Sequence, residues 1–250
     1  MNPVNVIELS LSLLLELLLL VLLLRRSVYR EFRVFFVYIA LSLPATAGRL
    51  LTIGNYQAYF LFFWGSNAVL LLFGLAALHE VFRSVYAGFY EFRWFRLAYF
   101  GAIALVMLIT IRNAVTNPPV QAHPLVSVVV SMGVSINLLQ AGIAALFGAF
   151  AKPFAVERRR YAFGIVAGFA TSALGPFVGY FSRSIFGKKL DLFTQNISAV
   201  AYILALVIWL ATFMRPEPKT DSWVPPMRPE EMLRVVRSYL KALGVRKEGS

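Results

Sequence analysis

The feature that most constrains the fold is a series of long apolar runs separated by short basic segments. A helix that crosses a bilayer needs about 20 mostly apolar residues, because each residue adds about 1.5 Å against a hydrocarbon core of about 30 Å. Runs that meet this requirement lie at 4–24, 34–53, 58–78, 95–111, 125–151, 162–182 and 194–214. The sequence therefore predicts an all-α membrane protein built as a bundle of seven transmembrane helices.

The composition indicates which solvent surrounds this chain. Of its 250 residues 59% are hydrophobic and 14% are charged, whereas a soluble domain carries about 25% charged residues. The formal net charge of +12 comes from basic residues that lie between the apolar runs, where they meet anionic lipid headgroups. We therefore expect the lipid bilayer to be the main partner, and we expect no nucleic-acid partner.

The basic residues also predict the direction of the helices. Nineteen of the 24 Lys and Arg residues lie in four segments, at 25–33, 80–96, 152–160 and 215–250. By the positive-inside rule these segments are cytoplasmic, which places the N-terminus outside and the C-terminus inside. We expect a multi-pass protein of a bacterial inner membrane, with a helical domain at 1–214 and a cytoplasmic tail after it.

The tail carries the pattern of a short amphipathic helix at about 229–243. Pro229 followed by Glu230 and Glu231 is typical of a first helical turn. Four apolar residues then follow at helical spacing, namely Leu233, Val236, Leu240 and Leu243. Such a helix lies on the inner leaflet through its apolar stripe, or it docks a cytoplasmic partner.

One acidic residue, Glu16, stands near the middle of the first apolar run. A charge at the bilayer centre costs roughly 2.5–3.5 kcal/mol on insertion scales. Asn5, Glu8, Ser12 and Glu16 follow one another at spacings that place them on one helical face. We expect this face to point into the bundle.

Other polar residues share the depth of Glu16 on helices that run in the same direction. No Lys, Arg or His lies in this layer, so we expect Glu16 to be protonated or held by neutral hydrogen bonds to Asn137 or Gln140. The layer is either a ligand site or polar glue between helices. The candidate ligand-binding residues are Glu16, Ser12, Asn67, Asn137, Gln140 and Tyr202.

Two further stripes lie on the second and sixth spans. The second span carries a polar stripe that consists of Tyr38, Ser42, Thr46 and Arg49. Arg49 and Arg112 are predicted at the outer mouth, where they contact an anion or lipid headgroups. The sixth span carries small residues that favour close helix packing, at Gly164, Gly168, Ser172, Gly175 and Gly179.

Several classes of site are excluded by residue content. The chain has no cysteine and two histidines, His79 and His123, which the topology places on opposite sides of the membrane. They cannot together hold a haem or a zinc ion. Glu80 and Arg83 fit a surface pair at i,i+3 spacing. Because no catalytic motif is present, we expect no enzyme activity, no metal and no cofactor.

Two segments carry a resemblance to known proteins. Residues 30–38, with the sequence REFRVFFVY, and residues 59–82 resemble those of uncharacterised bacterial seven-helix membrane proteins. The layout is also similar to the seven-helix sensor modules of some bacterial histidine kinases. The resemblance implies a receptor or sensor role without an assigned activity. Since no kinase core follows the last span, we expect any signal to pass to a separate protein.

The first functional hypothesis is therefore a non-enzymatic receptor or sensor, with a ligand in the polar layer and a protein partner at the basic cytoplasmic face. A retinal pigment is excluded, because retinal in rhodopsin-like proteins forms a Schiff base with a lysine of the last helix, and the last span here has no lysine. One alternative is a structural subunit of a larger complex or a homo-oligomer, in which Phe60, Phe62, Phe63 and Trp64 meet other helices. Another is a small three-plus-one-plus-three transporter, for which Pro44 and Pro176 in corresponding spans indicate a repeat.

Overall fold

The computed structural model describes residues 3–116, 124–151, 159–186 and 191–216, together with positions 230, 231, 234 and 238. Within these residues the chain forms seven α-helices and no strand. They are α1 (Pro3–Arg25), α2 (Arg33–Leu51), α3 (Tyr56–Val85), α4 (Arg93–Thr116), α5 (Pro124–Ala151), α6 (Arg160–Phe186) and α7 (Asp191–Met214). Two short 3-10 helices, Val28–Arg30 and Ala87–Glu91, lie in the connections after α1 and α3.

The helices confirm the all-α class and the membrane character of the chain. Over the described residues, six helices (α1, α2, α3, α5, α6 and α7) are long and apolar enough to cross a membrane. The chain is therefore a multi-pass membrane protein by the length and composition of its helices. The amphipathic helix predicted at 229–243 lies largely outside the described residues, and the four described tail positions are helical.

The order of the helices in the bundle differs from their order along the chain. α1 lies against α2 and α7, while α3 lies against α2, α5 and α6. The most extensive contact joins α6 to α7, and α4 packs on α5. Five helices, α1, α2, α3, α6 and α7, thus surround the interior, with α5 between α3 and α6.

The close contact of α6 with α7 follows from the stripe of small residues on α6. A Cβ atom added at Gly168 would overlap the indole ring of Trp209, and one added at Gly164 would overlap Thr212. The indole Nε1 of Trp209 donates a hydrogen bond of 3.1 Å to the carbonyl of Ile165. The sequence prediction of close packing along this stripe is confirmed.

We call the end of the bundle at which α1 ends and α2 begins the basic end. There the Arg26 guanidinium donates a 2.8 Å hydrogen bond to the carbonyl of Met214, the last residue of α7. The Tyr161 hydroxyl donates to the carbonyl of Arg215, at 3.4 Å. The ends of α1 and α7 and the start of α6 are therefore tied together at the basic end.

Glu80 belongs to this network and does not form the predicted pair with Arg83. Its Oε2 accepts hydrogen bonds from the backbone N–H groups of Val34, at 2.9 Å, and Phe35, at 3.2 Å. These are first-turn groups of α2, whose N-cap residue Phe32 supplies no side-chain bond. Glu80 therefore caps a helix that lies far away in sequence, and the predicted surface pair was wrong.

Large buried side chains are concentrated in the half of the bundle next to the basic end. On α3 every buried residue lies at Gly74 or later, so the first half of that helix has none. The largest fully buried side chains are Trp209, Tyr86, Phe32, Phe35, Phe82, Phe147, Phe169, Phe213, Leu19, Leu23, Ile39 and Leu78. In the described residues, the aromatic core thus lies in the half next to the basic end, and the first half of α3 contributes no buried residue to the other half.

Candidate functional site

The candidate site lies on the inward face of α1, as the spacing of its polar residues predicts. Ser12 is 8% exposed and Glu16 is fully buried. One turn towards the basic end, Leu19 is also fully buried, whereas Leu14 and Leu18 on the opposite face are about half exposed. The helix is therefore oriented with Leu14 and Leu18 on its outer face and the Glu16 carboxyl group towards the interior.

Two hydroxyl groups hold one oxygen of the Glu16 carboxyl group. The Tyr202 hydroxyl of α7 donates a hydrogen bond of 2.6 Å to Oε1. The Thr46 hydroxyl of α2 donates to the same atom, at 3.0 Å. The other oxygen, Oε2, is buried and has no hydrogen-bond partner among the described residues. Glu16 thus joins α1 to both of its neighbours and keeps one acceptor free.

The partners of Glu16 are not the amides of α5 that the sequence predicted. α5 packs against α3, α4 and α6 and has no contact with α1 in the described residues. The amide of Gln140 is buried instead beside Gly74, where an added Cβ would lie 3.0 Å from Nε2. Asn137 is half-buried on the same helix. The α5 amides therefore lie at a different position around the bundle from Glu16, although the sequence places them at a similar depth in the membrane.

The predicted ligand-binding residues divide into two groups. Glu16 and Tyr202 are in contact, and Ser12 is buried one turn away on α1. Asn67 is half-buried on α3 and makes no hydrogen bond to Glu16 in the part of the chain that is described. The structure therefore gathers three of the six candidates around one carboxyl group, and it places Asn67 and the α5 amides elsewhere.

The polar stripe on α2 supplies the partner that sequence reasoning did not assign to the site. Ser42 is fully buried and Thr46 is 5% exposed, one turn apart on the face towards Glu16. The Ser42 hydroxyl donates to the carbonyl of Ile39, at 2.9 Å, which satisfies the hydroxyl within its own helix. The spacing of the stripe was the signal that could have identified these residues.

Arg49 lies one turn beyond Thr46 on α2 and is turned towards α3. Its guanidinium donates to the Ser66 hydroxyl, with N–O distances of 3.0 and 3.2 Å. The guanidinium carbon lies 4.8 Å from the centre of the Phe63 ring, a cation–π geometry. Arg112 is exposed on α4, a helix without contact to α2 among the described residues. The two arginines proposed for an outer mouth therefore do not meet.

The energetic consequence of this arrangement concerns Oε2 of Glu16. No ion pair neutralises the carboxyl group within the described residues, because Arg49 is bonded to Ser66. Removing an ion from water costs several kcal/mol even after relaxation, whereas an unmet neutral polar group costs about 1–3 kcal/mol. The free oxygen is accordingly a place for a proton or for a hydrogen-bond donor of a ligand.

A second polar cluster lies near the basic end and was not predicted. The Nδ1 atom of His79 lies 3.2 Å from the Tyr99 hydroxyl and 3.2 Å from the Tyr90 hydroxyl. Burial raises the pKa of the Tyr90 hydroxyl well above its usual range, so the phenol stays neutral. No group of three His, Cys, Asp or Glu side chains that could hold a metal occurs in the described residues. His79 is a helix-packing residue of α3 and α4.

Comparison with known proteins finds no family model, no curated protein and no solved structure that matches this chain. The function is therefore argued from the geometry of the helices and of the carboxyl group at Glu16.

Proposed function

We propose that the chain is a non-enzymatic membrane protein of receptor or sensor type, with seven spans and its basic end in the cytoplasm. The distribution of Lys and Arg supports this direction, because exposed Arg25, Arg30 and Arg33 flank the basic end. In this proposal the membrane is a bacterial inner membrane, the N-terminus is outside and the tail from 215 onward is cytoplasmic. The proposal also counts α4 as the seventh span, although it is not among the six helices of the described chain that are long and apolar enough to cross a membrane.

The observation that carries the proposal is a buried carboxyl group with a free oxygen at the edge of the aromatic core. Glu16 lies just beyond the aromatic core, and Tyr202 beside it is half-buried. A small weakly polar ligand that enters from the end of the bundle opposite the basic end would reach Oε2 with a hydrogen-bond donor. Small-molecule sites in bundles are commonly apolar spaces with a few polar groups of this kind.

The basic end supplies the output surface of the proposed receptor. Arg26 contacts the last carbonyl of α7, directly before the tail. A movement of α1 relative to α7 at Glu16 would thus change the start of the tail. The exposed arginines offer electrostatic attraction to an acidic partner protein or to anionic lipid.

The topology is tested by labelling single cysteines in a chain that has none of its own. Gly54 is exposed in the connection between α2 and α3, and an added side chain there meets nothing within 4 Å. Gly54→Cys should react with a membrane-impermeant maleimide from outside the cell. Ala87→Cys, exposed after α3, should react only after the membrane is opened. The reverse pattern would refute the orientation.

The receptor role is tested by thermal unfolding of the purified protein against a panel of small weakly polar compounds. A receptor requires at least one compound that raises the Tm of the wild type and loses this effect in Glu16→Gln. Glu8→Gln, a half-buried carboxyl two turns away on α1, is the matched control and should keep the effect. A ligand site would be refuted if no compound changed the Tm and if the thiol of a Ser66→Cys variant did not react with maleimide.

Two other outcomes would select the alternatives. Other proteins that co-purify with the chain in fixed stoichiometry in mild detergent would indicate a structural subunit. Transport of a solute across the membrane of liposomes that contain the protein would indicate a transporter. The aromatic residues proposed to meet other subunits are partly used within the chain. Phe62 packs against Gly48 of α2, and Phe63 faces Arg49.

A further inference from the structure

The free oxygen of Glu16 has a consequence for the state in which the site rests. The hydroxyls of Tyr202 and Thr46 both donate to Oε1, the neighbouring Ser42 hydroxyl donates to the carbonyl of Ile39, and none of the three bonds to Oε2. An ionised carboxylate would have two equivalent oxygens that each attract donors. Donors on one oxygen alone are the pattern of a carboxylic acid, whose carbonyl oxygen accepts and whose other oxygen carries the proton.

The charged and titratable groups around Glu16 are few. Among the described helices, those packed against α1 are α2, α7 and, at the basic end and away from Glu16, the short helix Val28–Arg30. α2 presents Tyr38 and Arg49, and α7 presents Tyr202. On α1 itself the nearest is Glu8, two turns away. Arg49 attracts a negative charge at Glu16, but its guanidinium donates its hydrogen bonds to Ser66. A bound proton is therefore what neutralises the Glu16 carboxyl group.

The route for a proton is set by the asymmetric packing of the bundle. On the side of the basic end Glu16 is followed by Leu19 and by the aromatic core around Trp209, all fully buried. On the other side the inward face of α1 continues with two polar residues, Ser12, which is 8% exposed, and Glu8, which is half-buried, and Tyr202 is half-buried as well. Exchange therefore runs through the half away from the basic end.

We propose that Glu16 binds a proton on Oε2 and exchanges it with the side of the membrane opposite the basic end. The site between α1, α2 and α7 is then set by the pH on that side. Release of the proton leaves a carboxylate that competes with Ser66 for Arg49, which draws α2 and α1 together. This inference rests on the proposed sensor role and names the proton as the species that controls its site.

The test is infrared spectroscopy of the full-length protein in liposomes, with protons as the probe. A neutral carboxylic acid has a C=O stretching band that is separate from those of carboxylates and amides. At neutral pH the wild type should show this band, Glu16→Gln should lose it, and Glu8→Gln should keep it. Absence of a band that depends on Glu16 would overturn the proposal, whereas a thermal response to compounds would still leave a ligand site.

A second variant keeps the test decisive if Glu16→Gln does not fold. Tyr202→Phe removes a donor from the carbonyl oxygen of the acid, so the band should move to higher frequency without loss of intensity. In liposomes for which Gly54→Cys labelling has determined the orientation of the protein, the C=O band should fade when the pH is raised on the side that Gly54 faces. A band that responds only to the pH at the basic end would contradict the proposed route.

Discussion

Tyr202→Phe is the substitution that examines the Glu16 site most directly. It removes one hydroxyl and leaves the ring that packs beside α1. The lost interaction is the 2.6 Å hydrogen bond to Oε1, after which Thr46 is the one remaining donor to that atom in the described residues. The change in unfolding free energy therefore reports how strongly the carboxyl group uses this bond.

The expected magnitude depends on the charge of Glu16. A hydrogen bond between neutral groups contributes about 0.5–1.5 kcal/mol net, and bonds between membrane helices average about 0.6 kcal/mol. A bond to a charged group contributes about 1.5–3 kcal/mol. With Glu16 as a neutral acid, we expect Tyr202→Phe to reduce the unfolding free energy by about 0.6–1.5 kcal/mol.

The assay is reversible unfolding in mixed micelles with increasing SDS, in the wild-type and Glu16→Gln backgrounds. Because the glutamine carbonyl accepts the same hydrogen bond, Tyr202→Phe should cost nearly the same in both backgrounds. Tyr29→Phe, at a tyrosine that is 37% exposed, is the control and should change little. A loss of about 3 kcal/mol that disappears with Glu16→Gln would show an ionised carboxylate and refute the reasoning.

Three other substitutions test the packing and the basic end. Gly168→Ala should cost about 1–3 kcal/mol in the same unfolding assay, because the new methyl group overlaps the α7 indole; Gly142→Ala, with no atom within 4 Å, should cost nothing. Glu80→Ala should cost about 0.5–2 kcal/mol, with faster amide exchange confined to the first turn of α2, and unchanged exchange there would refute the cap. Arg159→Ala removes an exposed ion pair and should change stability by less than about 1 kcal/mol, so a larger loss would contradict this estimate.

Much of the fold could be predicted because lipid imposes a simple rule on sequence. Each predicted span corresponds to one observed helix. Among the differences, α2 ends at Leu51, two residues before the predicted end, and α3 continues to Val85, seven residues past its predicted end. The packing of α6 on α7 was also predictable, since glycines at helical spacing leave room for a neighbour. The identity of that neighbour was not predictable, because small residues specify closeness and not a partner.

The site was half predictable for a related reason. Depth in the membrane can be counted along each run, and this count correctly paired Glu16 with Tyr202. It was restricted to helices that run parallel to α1, so Thr46 on the antiparallel α2 was left out. It also gave no angular position around the bundle, and so it offered Asn137 and Gln140 on α5, a helix that does not touch α1 in the described chain.

The same geometry connects the Glu16 site with the basic end through two helices. Glu16 bonds to α7 through Tyr202, and at the basic end Arg26 of α1 bonds to the carbonyl of Met214 of α7. α1 and α7 are therefore joined at two levels. Because packed interfaces move between discrete arrangements rather than deforming continuously, a change in the bond at Glu16 shifts the pair as a unit. The tail begins directly after the second of these bonds, so in the proposed receptor it is the segment on which a change at Glu16 would act.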